Sequence, residues 1–361
     1  MLMPAEESPE EEENGIMGKR LLLLFCFILL TGCAGSTRND AVFSDVSVPP
    51  AEERLVVCTS HRKEVWWPVV REFEEQTGIW VDVVEGGTNE LLEKIEGGGD
   101  VPAADIMFGG GVESLQAHAD LFLPYHPGGD GELDPRYCSE DGIWTPFSAL
   151  PIVLVYNTKL VEKNEIISWQ DLMKEAFRGR IAFADPRRSG SSFTALITMN
   201  SASGDPEFAG RFAEQLDGRV LESSGDVLTA VSDGTALAGI ALEGAALRKI
   251  AEGASIALAY PAEGTSAVPD GTAIVRGTAH REAAEKFLEF TVDRNVQELL
   301  PERFRRRPVL RNPSAEALAA AGLPSLETLK LIDYDVQDAG ARHDAVLMSW
   351  SFRLGEGEEA K

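Results

Sequence analysis

The stretch LVVCTSHRKEVWWPVVREFEEQTGIWVDVVEGGTNELLEKIEGGGDVPAADIMFGGGV, residues 55–112, determines the fold class of this chain. Its apolar run Leu55–Cys58 predicts a buried strand, and the apolar residues from Val65 to Phe73 have the spacing of a helix. The alternation continues with a strand, a helix and a third strand, predicted at Ile79–Val84, Asn89–Glu96 and Asp105–Phe108. This alternation predicts an α/β fold with a mixed, mostly parallel sheet flanked by helices.

The second half of the chain resumes the same alternation. Strands are predicted at Pro151–Tyr156, Ile181–Ala184, Ala238–Leu242, Ser255–Tyr260 and Ala273–Val275. Helices are predicted at Trp169–Phe177, Ser192–Asn200, Pro206–Leu216, Val227–Ser232, Ala245–Ala251, His280–Val292, Ala315–Ala321 and Val336–Trp350. The pattern therefore predicts two α/β halves, and we expect the helix at His280–Val292 to return to the first half.

Residues 19–33 predict where the protein works. Lys19-Arg20 precedes the apolar run Leu21–Leu30, which is too short to span a bilayer well, and the run ends in Leu30-Thr31-Gly32-Cys33. This order resembles a bacterial lipoprotein signal, in which the cysteine after two small residues is acylated. We therefore expect that residues 1–32 are removed. A lipid on Cys33 would then hold the exported protein at a membrane, in the periplasm or at the cell surface.

The segments next to this signal have other compositions. Residues 1–16 carry six glutamates where such signals carry positive charge, so Met17 is the better start and residues 1–16 are interpreted as an overhang. Residues 33–54 are small, polar and proline-containing, which predicts a flexible tether after the lipidated cysteine. Residues 354–361 predict a disordered tail.

Composition limits the classes of partner. The 361 residues are 44% hydrophobic and 25% charged, as in globular proteins, and their net charge is −26. Without the six glutamates, Lys19 and Arg20 of residues 1–32, the charge is −26 + 4 = −22. Nucleic acids need a basic face, so this balance argues against them. The negative net charge does not exclude a small anionic ligand, because backbone N–H groups and a few arginines can make the local potential positive.

Cysteines and catalytic motifs give little sign of enzymatic chemistry. Besides Cys26 in the signal and Cys33, the chain has only Cys58 and Cys138, which we expect to be separate thiols, although the compartment would permit a disulfide. No Gly-x-Ser-x-Gly elbow, Walker loop, Cys-x-x-Cys or His-Glu-x-x-His motif occurs, and the five histidines are scattered. An enzyme on a similar two-lobed fold is the less favoured alternative, and no cofactor is expected.

Polar and glycine-rich loops follow several predicted strands. Such loops converge at the carboxyl ends of the strands in open α/β sheets, and a helix N-terminus holds anions with its free N–H groups. Helix capping explains any one of them equally well, but several together favour a binding site. The candidate ligand-binding residues are Thr59, Ser60, His61, Arg62, Gly110, Gly111, Arg188, Ser189, Gly190, Ser191, Ser192, Ser224, Gly225, Asp226 and Glu243.

The chain from Leu55 to about Trp350 resembles the solute-binding proteins of ABC importers, specifically the ferric-iron-binding-like branch. The residues that carry the resemblance are Phe73–Ile79, Ala104-Asp105-Ile106, Val155-Tyr156-Asn157, Ser168–Leu172, Gly179-Arg180-Ile181, Asp185-Pro186 and Ser189-Gly190-Ser191. Each motif is loose, but their order and spacing together are specific. The resemblance implies the two-lobed periplasmic-binding-protein fold, in which crossing hinge strands join the lobes and the ligand is clamped between them by hinge closure.

The same comparison argues against iron. In ferric members a tandem tyrosine pair follows the strand that matches Ala238–Leu242, and a glutamate follows the third strand. Here Glu243-Gly244 stands in place of the pair, glycines follow the third strand, and the five tyrosines never occur in tandem. His61 lies near the histidine ligand position, but one histidine does not make an iron site. The pattern is more similar to members that bind phosphorylated sugars or phosphonates.

The resemblance to those members assigns roles to the candidate residues. Arg188 and the Ser189–Ser192 amides would bind the phosphate, and Asp226 and Glu243 would accept hydrogen bonds from hydroxyl or amino groups. The expected partners are a small anionic solute and the permease and ATPase subunits of an ABC importer, with membrane contact through the lipid only and a monomeric protein. Ferric iron as the ligand, and a receptor subunit of a signalling system, stay open as alternatives.

The resemblance also predicts the division of the chain between the lobes. Lobe 1 is expected to comprise residues 55–150 and about 268–305. Lobe 2 is expected to comprise residues 151–267 and about 306–353.

Overall fold

The first strand lies in the middle of one half of the sheet. A computed structural model describes residues 48–98, 103–128 and 130–355. In it the fully buried β1 (Leu55–Thr59) lies between β2 (Val81–Glu85) and β3 (Ile106–Gly111). Both neighbours run parallel to β1, because α1 (Lys63–Thr77) and α2 (Thr88–Gly97) connect the three strands as crossovers. The predicted strand–helix alternation is thus confirmed in this half.

Two long strands join this half of the sheet to the other. β5 (Thr145–Asn157) pairs through Thr145–Pro151 with β9 (Ala267–Val275). Beyond that point β5 pairs with β7 (Ala238–Leu242) and β8 (Ile256–Ala259), so one continuous strand serves both halves. β9 in turn pairs with β3 and with the short β4 (Phe122–Leu123).

The sheet order is β2-β1-β3-β9-β5-β7-β6, with β6 (Ile181–Ala182) parallel to β7. The sheet is mixed, as predicted, and crossing strands join its two halves. β5 and β9 pair antiparallel with all their neighbours, which adds more antiparallel pairs than the helix–strand alternation alone suggests.

Each half has its own apolar core. In the first, Phe73 of α1 packs against Phe287 and Phe290 of α8 (Arg281–Val292), with ring centroids 5.0 and 5.6 Å apart. This contact confirms that the helix at 281–292 returns to the first half. In the second, Phe183 packs edge-on against Phe212 and beside Trp350, both fully inside the cluster.

The remaining helices cover these cores and the C-terminal side. They are α3 (Val112–Ala117), α4 (Gly190–Ser203), α5 (Phe208–Gln215), α6 (Ser224–Asp233), α7 (Glu243–Ala251), α9 (Arg294–Phe304), α10 (Ala315–Ala320), α11 (Val336–Ala341) and α12 (His343–Arg353). α11 lies against α3, and α12 lies against α5. The C-terminal segment therefore contacts elements that follow strands of both halves of the sheet.

Two predicted helices are broken in the structure. The segment 169–177 forms two 3-10 turns, because the Glu263 carboxylate accepts the N–H groups of Trp169 and Gln170 and Lys174 is extended. The segment 336–350 is divided into α11 and α12 at Arg342, whose backbone leaves the helical region. α9 was not predicted, and it begins where the Asp293 side chain caps it by accepting from Asn295 N–H.

Several predictions fall outside the described residues. These are the overhang, the signal, Cys33, the tether up to residue 47 and the tail from residue 356. Within the described residues, no helix is long and apolar enough to cross a membrane. Cys58 and Cys138 are not bonded to each other, and burial raises the pKa of the Cys58 thiol to about 11, as is typical of a buried structural cysteine.

Candidate ligand-binding cleft

The loops at the strand ends meet across a cleft between the two halves of the sheet. Gly190, at the start of α4, lies so close to the end of β3 that a Cβ on it would be 2.7 Å from Gly111 N. On the same side, Asn89 Nδ2 of α2 donates to the Arg187 carbonyl at 3.0 Å. The predicted convergence of the β1, β3 and β6 loops is therefore present, with the cleft closed at these points.

Arg62 crosses the cleft from the first half of the sheet to α6. Its guanidinium lies over the first turn of that helix, at the place that a Cβ on Gly225 would occupy, 0.9 Å from Arg62 Nη2. A side chain at Gly225 would displace the guanidinium from this position. The positive charge thus lies close to a helix N-terminus, where an anion is favoured and a cation is not.

His61 lies at the floor of the cleft. It is buried against Phe108 and Phe147, and its Nδ1 accepts a long hydrogen bond from Arg306 Nη2 at 3.5 Å. Burial, and next the charge of Arg306, hold its pKa well below the usual range, so His61 is neutral. Nε2 then carries the proton. It lies 3.4 Å from Asp270 Oδ2 without the alignment of a hydrogen bond.

Arg306 is fixed in position at the floor of the cleft. Its Nη1 donates to Asp270 Oδ2 at 2.5 Å and to Ser148 Oγ at 3.0 Å. The Ser148 N–H and hydroxyl both donate to the other Asp270 oxygen, at 2.7 and 2.9 Å. Asp270 is thus saturated by β5 and by Arg306. This arrangement orients the Arg306 guanidinium toward His61.

Arg248 of α7 adds a third guanidinium. Its pKa is lowered first by burial and then by the positive charges of Arg306 and Arg62, so the three groups lie close enough to repel one another. Among the described residues, neither Arg62 nor Arg248 has a hydrogen bond or ion pair through its side chain. Glu64 and Glu252 act on the pKa of Arg248 in the opposite direction. Of the three guanidinium groups, only Arg306 has a carboxylate partner among the described residues, Asp270, so two of them lie in the cleft without an ion pair.

Other predicted residues have partners within the protein. The buried Glu243 carboxylate accepts from Arg307 Nε and Nη2, both at 2.7 Å, and from the Tyr260 hydroxyl. The exposed Asp226 caps α6 in a reciprocal arrangement with Ser223. Arg188 pairs with Glu222. Both proposed acceptors of ligand hydrogen bonds, Glu243 and Asp226, are therefore engaged by protein donors, and their contact with a ligand stays a prediction.

The serine loop caps its own helix. Ser189 Oγ accepts from Ser192 N at 3.4 Å and lies 3.1 Å from Ser191 Oγ. Ser189 and Ser191 are half-buried and Ser192 is buried. Thr59 bonds the end of the neighbouring strand, its hydroxyl donating to the Phe108 carbonyl at 2.7 Å, and the half-buried Ser60 lies beside it. The loop therefore caps α4, and binding of an anion by its N–H groups stays a prediction.

Sequence reasoning missed Arg248 and Arg306. A signal for Arg306 was available in Arg305-Arg306-Arg307, a run of three cations in an acidic chain. The three residues have different surroundings, since Arg307 forms the buried pair with Glu243 and Arg305 donates to the Ala321 carbonyl at 2.6 Å. Arg248 had no such signal, because only the tertiary fold brings α7 to the other two arginines.

Within residues 48–98, 103–128 and 130–355, no group of three or more His, Cys, Asp or Glu side chains is arranged to hold a metal ion.

Comparison with known proteins gives consistent results at the levels of family, sequence and fold. Residues 106–338 match the family model described as "Bacterial extracellular solute-binding protein". Iron uptake protein A1 of a Synechocystis species is 26% identical over 84% of this chain and 88% of its own length. A Salmonella typhimurium protein proposed to be a 2-aminoethylphosphonate-binding periplasmic protein is 22% identical over 78% of this chain and 87% of its own length.

The fold also has a solved counterpart. The periplasmic binding protein AfuA of Actinobacillus pleuropneumoniae, solved with exogenous fructose-6-phosphate bound, superposes with a TM-score of 0.76 at 21% identity. The superposition covers 84% of this chain and 98% of that one. The similarity to the ferric-iron-binding-like branch that the motifs indicated is therefore confirmed, and so is the two-lobed fold. On the family match over most of its length, this chain belongs to the bacterial extracellular solute-binding proteins.

Proposed function

We propose that this protein captures a small anion with a phosphate or phosphonate group in the cleft between its lobes. The observation that carries the proposal is the meeting of Arg62, Arg248 and Arg306, of which only Arg306 forms an ion pair among the described residues, with Asp270. Like charges that lie together without ion-pair partners repel one another and lower the stability of the folded protein. Such an arrangement is typical of a binding site rather than of ion pairs that stabilise the fold. An anionic ligand would supply the missing charge.

The type of cation favours a phosphoryl group over a carboxylate. All three side chains are guanidinium groups, whose planar donors match phosphate oxygens in pairs. The N-terminus of α6 lies beside Arg62 and contributes N–H groups with partial positive charge. A phosphoryl group can carry two negative charges and accept on three oxygens, so it can use several guanidinium groups at once, whereas a carboxylate has only two oxygens.

Hinge closure would provide the clamp. The cleft is formed by loops from both halves of the sheet, and β5 and β9 are the strands that cross between those halves. A ligand that touches both sides stabilises the closed form relative to the open one and shifts the population toward it. The change of partner along β5 at Pro151–Ile152 supports the lobe boundary predicted near residue 150, and the boundaries near residues 267 and 305 stay predictions.

The physiological role that fits this clamp is delivery of the solute to an importer. We infer an exported, monomeric lipoprotein, anchored through Cys33, that passes its ligand to the permease and ATPase subunits of an ABC transporter. The predicted signal and the family membership support this role. Iron-binding relatives make ferric iron the second ligand to test, although Glu243 is held by Arg307 and Tyr260 and is followed in sequence by Gly244, not by a tyrosine pair.

Calorimetry tests the proposal with fructose 6-phosphate, 2-aminoethylphosphonate, inorganic phosphate, fructose and a ferric salt. We expect a charged compound to bind and fructose not to bind. Arg248→Gln should weaken that binding by about ten- to a hundredfold, the value of a charge-assisted hydrogen bond. It should leave the melting temperature equal or higher, because the variant removes a repelled charge.

The matched control is Arg219→Gln, since Arg219 is exposed and lies outside the cleft. It should change neither affinity nor stability. Equal binding of fructose and fructose 6-phosphate, or equal affinity of the Arg248→Gln and wild-type proteins for the bound anion, would refute the anion site. A ferric complex with a visible absorption band would favour the iron alternative instead.

A further inference from the structure

Glu113 is a buried carboxyl group at the point where three separate elements meet. It belongs to α3, which follows β3 of the first half of the sheet, and its side chain is inaccessible to solvent. Oε1 accepts from Thr194 Oγ1 of α4, in the second half, at 2.8 Å. It also accepts from the Tyr334 hydroxyl, which precedes α11. The contact therefore spans the cleft and holds the C-terminal segment to both sides.

The second oxygen of this carboxyl group has no partner. Oε2 is buried without a hydrogen bond from any described residue. It lies against the backbone of β3, since a Cβ on Gly111 would be 2.8 Å from it. A carboxylate with one oxygen unpartnered in such a place is costly, whereas a protonated carboxyl group is not charged. Burial accordingly raises the pKa of Glu113, opposed only by the Tyr334 and Thr194 hydroxyls and its own N–H.

We propose that closure of the cleft takes up one proton from solvent on Glu113 and that opening releases it. When the lobes separate, Thr194 moves away from α3, water reaches the carboxyl group, and it ionises. When they close, water leaves and the neutral form returns. No covalent step is involved: the proton moves between solvent and the carboxylate. This proposal rests on the proposed hinge closure but not on the chemical nature of the ligand.

The sign of the pH dependence follows from linkage. The closed form binds the proton more tightly than the open form, so a rising pH favours opening between the ordinary and the raised pKa of Glu113. Within that window the ratio of closed to open molecules falls by up to about tenfold for each pH unit, as expected for one proton. Above and below the window the ratio is independent of this group.

Other titratable groups pack around the same contact and must be separated from Glu113. His343 of α12 lies 3.2 Å through Nε2 from Ser114 Oγ, and burial lowers its pKa. His118 of α3 lies beside it, with ring centroids 5.9 Å apart. α4 carries no charged residue. The charged residues on the segment from Tyr334 to the start of α12 are Asp335, Asp338, Arg342 and Asp344. Protonation of His343 would act in the opposite direction, since its burial disfavours the charged form.

Two measurements on the ligand-free protein test the proposal. Infrared spectroscopy over a pH series should show the carbonyl band of a protonated carboxyl group that persists above the ordinary pKa of a glutamate, and Glu113→Gln should lack this band. Small-angle scattering from about pH 5 to about pH 9 should show a radius of gyration that grows with pH in the wild type. In Glu113→Gln the side chain is always neutral, so the radius should stay at the compact value across this range.

Two further variants sharpen the result. Tyr334→Phe removes a hydroxyl that stabilises the ionised carboxylate, so the opening transition should move to higher pH. Glu93→Gln removes an exposed glutamate of α2 and should behave as the wild type. Because Tyr334→Phe keeps Glu113, it tests the proposal even if Glu113→Gln does not fold.

The proton coupling and the proposed hinge closure can fail separately in these measurements. A wild-type radius independent of pH, the same transition in Glu113→Gln, or the absence of the infrared band would each overturn the proton coupling. If the protein still contracts when the bound anion is added, hinge closure stands and only the coupling fails. If no condition changes the radius, hinge closure itself fails, and with it the proposed clamp.

Discussion

Glu243 shows how a residue predicted from its position in the sequence can acquire a different partner in the fold. It follows β7, where the sequence pattern indicated a ligand group. In the structure Arg307, which is 64 residues away in sequence, donates to both of its oxygens from within the core. Hydrophobic periodicity predicts which face of an element is buried, but not which distant charge will meet it there. Arg248 and Arg306 were missed for the same reason, whereas Arg62 was predicted from its place after β1.

This pair leads to a prediction for stability. Glu243→Gln should leave the buried Arg307 charge without its counter-charge and lower the free energy of unfolding by about 3–5 kcal/mol. The exposed Glu252 at the end of α7 is a matched control, and Glu252→Gln should change it by about 0.5 kcal/mol or less. Denaturant unfolding measures both. If Glu243→Gln kept full stability and lost anion affinity instead, Glu243 would be a ligand group, as the sequence pattern first suggested.

At the scale of elements, most strands and helices could be predicted from the sequence, because their apolar residues recur with clear periods. The departures occur where a tertiary contact competes with the helix. Glu263 takes the first N–H groups of the segment 169–177, and Asp293 caps an additional helix. β5 is longer than predicted, because Thr145, Pro146 and Ser148 interrupt its N-terminal half, which lacks the continuous apolar run that marks Ile152–Val155.

The start of α4 is the element on which closure depends most directly. Gly190 has room for no side chain, since a Cβ would lie 2.7 Å from Gly111 N and 3.3 Å from Thr88 Oγ1. Gly190→Ala should therefore hold the lobes apart. Overpacking of this kind costs about 1–3 kcal/mol, or roughly five- to a hundredfold in affinity for the anion that binds the wild type. The melting temperature should hardly change, because alanine is a better helix former than glycine.

Calorimetry and thermal unfolding separate this effect from simple helix capping. Gly97→Ala in α2 is the control, because a Cβ there would meet nothing within 4 Å, and its affinity should equal that of the wild type. A Gly190→Ala protein that binds as tightly as the wild type would mean that the lobes close without the contact to Gly111. If Gly190→Ala lowered the melting temperature together with the affinity, the contact between Gly190 and Gly111 would be needed for folding and not only for closure.

For the molecule as a whole, the distribution of charge is more informative than its sum. A net charge of −26 repels anions from most of the surface, while Arg62, Arg248 and Arg306 create a positive region in the cleft. Salt screens the general repulsion within about 8 Å at physiological ionic strength, so the enclosed cleft is affected less than the surface. An acidic protein can therefore bind an anion, provided that the anion is small enough to enter the cleft.

The last prediction concerns the link between this binding body and the membrane. The first strand begins at Leu55, a 3-10 turn at Ala51–Glu53 precedes it, and residues 33–54 have the composition of a tether, so the lipid and the ligand site should act independently. Cys33→Ser removes the only side chain that the proposed lipoprotein signal would acylate. We expect the variant to lose diacylglycerol labelling and to leave the membrane fraction, while its affinity for the bound anion stays that of the wild type. Cys138→Ser is the matched control and should remain labelled and membrane-bound. Labelling that persists in Cys33→Ser would refute the lipid anchor, and a loss of affinity in the released protein would show that the anchor contributes to the folded site.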